Sequence, residues 1–114
     1  MQNIFDRSVC DANVARINKL TATTKPQWGK MNSAQMLAHV SKPYEMVCDP
    51  NYGATHKRPN AVVRFLLKRF LKPIVVGPKP YAKNSRTAPE FIVADERVLE
   101  TERKRIIDHI NQVQ

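Results

Sequence analysis

Apolar residues recur at helical spacing in three stretches of the chain, which predicts three long helices. The first stretch covers about residues 5–20 and has the apolar face Phe5, Val9, Ala12 and Leu20. The second runs to about Cys48 and has the stripe Met36, Leu37, Val40, Tyr44 and Val47. The third follows Asp95, its predicted cap, and has the stripe Leu99, Ile106, Ile110 and Val113. Because no stretch alternates as a β-strand does, the predicted fold class is all-α.

Two of these helices carry recognisable signals at their ends. Asn32 precedes the second helix and Gln35 lies three residues further on, which is a variant of the capping box. In the last helix the acidic residues come first and the basic run Arg103-Lys104-Arg105 comes later. That order suits the helix dipole, so this helix is predicted from charge as well as from spacing.

Residues 50–89 differ in kind from the rest of the chain. They hold six of the eight prolines and no acidic residue, and their nine basic residues equal the net charge of +9 of the whole sequence. We therefore interpret residues 50–94 as a basic, proline-rich connector. The basic residues in it are Lys57, Arg58, Arg64, Lys68, Arg69, Lys72, Lys79, Lys83 and Arg86.

A short amphipathic helix is predicted within this connector, over residues 60–72, with Pro73 as its stop. On a helical wheel one arc holds Arg64, Lys68, Arg69 and Lys72. The opposite arc holds Val62, Val63, Leu66, Leu67, Phe70 and Leu71. Three interpretations stay open: a nucleic-acid or phosphate surface, a membrane-surface helix, or a solvated basic face over a helix that packs on the bundle.

Composition bounds the class of protein. A length of 114 residues suits one domain, residues 1–114, and 42% apolar with 25% charged residues argues against disorder. No apolar run exceeds four residues, so no transmembrane helix is expected, and the N-terminus lacks the pattern of a secretory signal. Cys10 and Cys48 are interpreted as reduced thiols. Three isolated glycines cannot form a nucleotide-binding loop. These features predict a cytoplasmic protein.

His39 is the residue with the clearest chemical potential. Pro43 lies four residues after it and should deprive the carbonyl of His39 of its helical hydrogen bond. A free carbonyl beside an imidazole is a candidate ligand site, and the alternative is a half-buried core histidine in a bent helix. The candidate pocket consists of His39, Pro43, Trp28, Met46 and His109.

Two stretches of the sequence resemble a bacterial branch of the DinB-like (YfiT-like) metalloenzyme superfamily. The first is Thr-Lys-Pro-Gln-Trp-Gly-Lys-Met-Asn-Ser-Ala-Gln-Met-Leu-Ala-His, residues 24–39, followed by Ser41-Lys42-Pro43. The second is Lys-Asn-Ser-Arg-Thr-Ala-Pro-Glu-Phe, residues 83–91, followed by Asp95-Glu96-Arg97. The resemblance implies a four-helix bundle that holds a divalent metal such as zinc or nickel with three histidines, the first matched by His39. Characterised members of the wider superfamily include thiol transferases and isomerases.

The resemblance extends to only one of the three metal-binding histidines. In the family a further C-terminal helix supplies the others, whereas this sequence ends at Gln114, and neither His56 nor His109 matches the ligand pattern. We therefore expect no metal cofactor in this chain and little or no catalysis. The partly uncovered stripe of the last helix predicts a homo-oligomer, most simply a dimer, that completes the bundle.

Two functions from different classes follow. The first is a DinB-like protein whose metal site is incomplete. The alternative is a non-catalytic protein that binds nucleic acid, phosphate or acidic lipid through residues 57–86. The residues expected to bind the anion are Lys57, Arg58, Arg64, Lys68, Arg69 and Lys72.

Overall fold

The computed structural model describes residues 2–55 and 57–114, so His56 lies outside the described residues. Its helices are α1 (Arg7–Asn18), α2 (Ser33–Cys48), α3 (Tyr52–Thr55), α4 (Ala61–Leu66), α5 (Lys72–Val75) and α6 (Leu99–Gln112). A π-helical turn, Leu67–Leu71, joins α4 to α5, and a 3-10 turn, Pro89–Phe91, precedes α6. No β-strand occurs in the described ranges, which confirms the all-α class.

Helices α1, α2 and α6 form the packed part of the fold. Gln35 donates to the carbonyl of Asp95 at 3.0 Å, and ten residues further along both segments Glu45 forms an ion pair with Arg105. Both partners advance along the chain by ten residues from the first pair to the second, so α2 and α6 run parallel. Their shared core, to which α1 also contributes, consists of Cys10, Leu37, Ile106 and Ile110.

Helix α1 runs antiparallel to α6 and is held by one arginine. The guanidinium of Arg103 donates to the carbonyls of Ile17 and Leu20, each at 2.7 Å, at the C-terminal end of α1. A cation at this position also interacts favourably with the negative end of the helix dipole. At the other end, Gln114 donates to the carbonyl of Ile4 at 3.0 Å. Arg103 is thus a structural contact between two helices.

The predicted stripe of α2 is correct in part. Leu37 is buried, and Met36 and Tyr44 are half-buried against the core. Small side chains outside that stripe are also buried, namely Ser33, Ala34, Ala38 and Ser41. Val47 is 78% exposed, and Val40 lines a cavity of about 430 Å³ between α1 and α2. The helix itself and its capping box, in which Asn32 and Gln35 bond each other's backbone, are confirmed.

Helices α1 and α6 also differ from expectation in detail. Phe5 lies outside α1 and is exposed, and Cys10 rather than Ala12 is buried. Helix α6 begins at Leu99 without a side-chain cap, because its N-cap residue is Val98; Asp95 lies three residues earlier and pairs with Arg97.

The last helix is better covered than the sequence suggested. Ile106 is 1% and Ile110 is 5% exposed, since α1 and α2 cover them. The expected uncovered stripe on this helix is therefore wrong for these two residues. The dimer for which it argued stays a prediction.

Residues 61–75 form one helix, which we call the amphipathic helix. It continues past Pro73, where the sequence predicted a stop, to Val75. The π-helical turn ends just before Pro73, and a widened turn relieves the clash between a proline ring and the preceding turn of helix. The helix ends before Gly77, where a Cβ atom would lie 2.6 Å from the carbonyl oxygen of Pro73. Residues 76–88 are non-helical, as predicted.

The protein exposes more surface than a compact monomer of its mass. Its accessible area is 9344 Å², whereas a folded monomer of this size exposes about 6,400 Å². Its radius of gyration is 15.4 Å, against about 13 Å for a compact domain of this length. The excess is explained by a small core and by a helix that projects from it.

Candidate functional site: a cationic amphipathic helix

The amphipathic helix presents four of the six predicted anion-binding residues. Arg64, Lys68, Arg69 and Lys72 are all exposed on it, while Lys57 and Arg58 are exposed in the loop that leads to it. Arg69 also lies 5.5 Å from the ring centre of Phe70. Since no carboxylate occurs in residues 50–89, no acidic side chain of the same segment neutralises these charges.

The apolar side of this helix is uncovered. Val62 is 68% exposed, and Phe70 and Ile74 are each 62% exposed. None of residues 61–75 is buried. The interpretation in which this side packs on the bundle is therefore wrong. A helix that is basic on one side and apolar on the other projects both sides into solvent.

Local contacts hold both ends of the amphipathic helix. At its start, the side chain of Asn60 accepts a hydrogen bond from the backbone N–H of Val63 at 2.9 Å. At its end, the hydroxyl of Tyr81 donates to the carbonyl of Val75 at 2.6 Å. The role of Tyr81 was missed by sequence reasoning, because a turn that folds back on a helix leaves no periodic signal. The sequence did hold a signal for the N-terminal end of the helix, because Asn60 precedes an apolar run and Asn is a preferred N-cap residue.

His39, the predicted metal ligand, is engaged in a structural contact. Its Nδ1 donates to the carbonyl of Phe91 at 2.7 Å, and the two rings meet edge to face at 6.4 Å. This contact fastens the 3-10 turn to α2. In the neutral ring it leaves Nε2 as the lone-pair nitrogen.

The other members of the candidate pocket are engaged elsewhere. His109 stacks on Tyr44 at 6.1 Å, about 7 Å further along α2 than His39. Burial raises the pKa of the Tyr44 phenol, with smaller contributions from Cys10 and Cys48. Trp28 lies in the 19–32 loop with Lys83 over its ring at 5.7 Å.

The two remaining candidates, Pro43 and Met46, are exposed on α2. Pro43 lies within the helix and lines an apolar cavity of about 690 Å³. Neither this cavity nor the one between α1 and α2 is lined by His39, Trp28, Met46 or His109.

The residues present do not fit the three-histidine metal site that the resemblance implies. Over residues 2–55 and 57–114, no group of three or more His, Cys, Asp or Glu side chains is placed to hold a metal ion. A catalytic zinc needs about three protein ligands around one point. His39 and His109 face different partners, so we derive no chemistry through a metal.

We expect the purified protein to hold well under one divalent ion per chain. His39→Ala should leave the metal content unchanged and the fold intact, at a cost of about 1 kcal/mol for the lost bond to Phe91. Elemental analysis together with chemical unfolding measures both quantities. One tightly held zinc or nickel ion per chain that is lost in His39→Ala would contradict this prediction.

Comparison with known proteins adds no family to this description. No protein-family model matches the sequence, and neither curated proteins nor solved structures show a significant match. In the part of the chain that the structure describes, every helix is too short or too polar to cross a membrane.

Proposed function

We propose that this protein is a non-catalytic helical protein that binds polyanionic partners through its basic segment, residues 57–86. One observation carries the proposal: the amphipathic helix exposes four basic side chains and is not used to build the core. Exposed charge of one sign concentrates partners of the opposite sign and speeds their association. The packed helices α1, α2 and α6 then serve as a support for this surface.

The charge distribution supports the same function. The basic segment contributes all of the net charge of +9, because the ten basic and ten acidic residues outside residues 50–89 cancel. A charge concentrated in one segment favours a localised binding surface, whereas dispersed charge favours solubility alone.

The resemblance to the DinB-like superfamily is kept as part of the proposal. An all-helical fold is compatible with it, and Asn32 and Gln35, which form the capping box, lie within the resembling stretch. On this view the chain has the scaffold of a DinB-like protein without its metal chemistry, and binding replaces catalysis.

Binding should depend steeply on salt and on four side chains. With about four anionic contacts, we expect association to fall about 100-fold between about 50 and about 200 mM salt. Two probes are used, a labelled single-stranded oligothymidylate and vesicles that contain phosphatidylglycerol. A variant in which four helix bases are changed to Gln should lose at least about 10-fold on the probe that is bound. Those residues are Arg64, Lys68, Arg69 and Lys72.

The matched control removes the same charge from elsewhere on the surface. It changes four exposed lysines to Gln: Lys19, Lys25, Lys30 and Lys104. We expect less than a twofold effect from this control. Binding to neither probe by the natural sequence, or an equal loss in both variants, would disprove the proposed site.

A further inference from the structure

We propose that the partner of the basic segment is a lipid surface with anionic headgroups, and that the amphipathic helix lies in the plane of that surface. This inference rests on the proposed function and adds the class of partner. The basic side accounts for attraction to an anion, but it does not account for the apolar side.

The sequence of the amphipathic helix has a continuous apolar side. On an ideal α-helical wheel of 100° per residue, which leaves out the π-helical turn, an arc of about 180° contains only apolar residues. They are Val62, Val63, Leu66, Leu67, Phe70, Leu71, Pro73 and Ile74. The four basic residues lie in the other half of the wheel, where Phe65 and Val75 also fall. A helix with a cationic side and a bulky apolar side matches the features of helices that lie in a membrane interface.

Over residues 2–55 and 57–114, no other element buries the apolar arc. Large side chains such as Phe70 and Ile74 are about two-thirds exposed, and each would gain on leaving water. A helix of about 15 residues without tertiary packing is only marginally stable in water. The caps from Asn60 and Tyr81 start and end this helix, but they bury none of its apolar surface.

Lipid satisfies both sides of the helix at once. Anionic headgroups complement Arg64, Lys68, Arg69 and Lys72, whose long side chains can reach outward while their stems lie over apolar surface. The acyl region covers the apolar arc. Nucleic acid would complement only the basic residues. A second copy of the helix would cover the apolar arc but would bring more positive charge, because residues 50–89 contain no carboxylate to pair with it.

The connections of the helix permit this orientation. Residues 57–60 precede it and residues 76–88 follow it as non-helical chain, and both are exposed apart from the half-buried Gly77. No residue of the helix belongs to the core of α1, α2 and α6. The helix can therefore be immersed on its apolar side without exposing that core.

The test separates the apolar contribution from the charge. One variant changes three residues of the apolar arc, Leu66→Gln, Phe70→Gln and Ile74→Gln, and keeps every charge. The control makes the same change at exposed apolar residues elsewhere, Val47→Gln, Ile92→Gln and Val98→Gln. Binding is measured by co-sedimentation with vesicles of phosphatidylglycerol and phosphatidylcholine, with vesicles of phosphatidylcholine alone, and by anisotropy with oligothymidylate.

We expect the natural sequence to bind the vesicles that contain phosphatidylglycerol, with a gain in helical circular dichroism. The apolar-arc variant should lose at least about 10-fold on those vesicles, and the control should match the natural sequence. Vesicles without anionic lipid should bind at least about 10-fold more weakly. Circular dichroism and thermal unfolding of each variant check that the core of α1, α2 and α6 is retained.

Four results would overturn the lipid assignment. If the apolar-arc variant binds vesicles as well as the natural sequence while the basic-to-Gln variant does not, the contact is electrostatic alone and only the proposed function stands. Tighter binding to oligothymidylate than to vesicles would assign the segment to nucleic acid. A stable dimer that the apolar-arc variant converts to monomer, with no vesicle binding, would assign the cover to a second copy. Binding to neither probe would remove the proposed function as well.

Discussion

Ile106→Ala is expected to destabilise the protein by about 3 to 4 kcal/mol. Ile106 is among the largest fully buried side chains, at 1% exposure, and it belongs to a core cluster of only four residues. Removing three carbon atoms there loses their transfer free energy and leaves a cavity that Cys10, Leu37 and Ile110 must line. Native domains are stable by only about 5 to 15 kcal/mol, so this loss is a large share of the total.

Chemical denaturation of both proteins at one temperature measures the difference. Ile74→Ala is the matched control, because it makes the same chemical change at a residue that is 62% exposed on the amphipathic helix. We expect less than about 0.5 kcal/mol there. A loss at position 106 no larger than the loss at position 74 would show that α1, α2 and α6 do not pack around Ile106 in solution.

Glu102→Ala should destabilise the protein by about 2 to 3 kcal/mol. Glu102 is 4% exposed, and its two carboxylate oxygens lie 3.3 Å from the guanidinium groups of Arg97 and Arg105. Arg105 also pairs with Glu45 on α2, so one carboxylate on α6 organises the contact between the two parallel helices. The variant leaves two arginines without that carboxylate, which is why the expected cost exceeds that of an exposed ion pair.

The same network raises the pKa of the Arg97 guanidinium. The hydrogen bond with Asp95 is the main cause that raises the pKa of its guanidinium, and the bond with Glu102 adds to it. A raised pKa of a basic group stabilises the fold fully below the unfolded-state pKa and loses that contribution only at higher pH. Because an arginine titrates far above neutrality, Arg97 stays charged through the neutral range.

Two further variants give the network prediction its controls. Glu96→Ala removes an exposed carboxylate near the start of α6 and should change the stability by less than about 0.5 kcal/mol. Glu102→Gln keeps the shape and should recover part of the loss. Equal stability of Glu102→Ala and Glu96→Ala in urea denaturation would contradict the network.

Sequence reasoning found the helices and the chemical character of the candidate site. Two features were predictable because they depend on residues three or four positions apart in the sequence. They are the capping box of Asn32 and Gln35 and the amphipathic arcs of residues 61–75. The same reasoning erred on Pro73, because the π-helical turn that accommodates the proline is not a feature of the periodic pattern.

Which residues face one another depended on the packing of distant segments. The sequence alone determined that α1, α2, α6 and the amphipathic helix form, since local periodicity favours them, but it misplaced the start of α1, the cap of α6 and the end of the amphipathic helix. Only the tertiary structure decided that α2 buries its small residues Ala34 and Ala38, and that the apolar arc of the amphipathic helix is exposed. The physical reason is that burial requires a complementary surface brought close by the fold, and a large apolar side chain is left in water where no such surface reaches it.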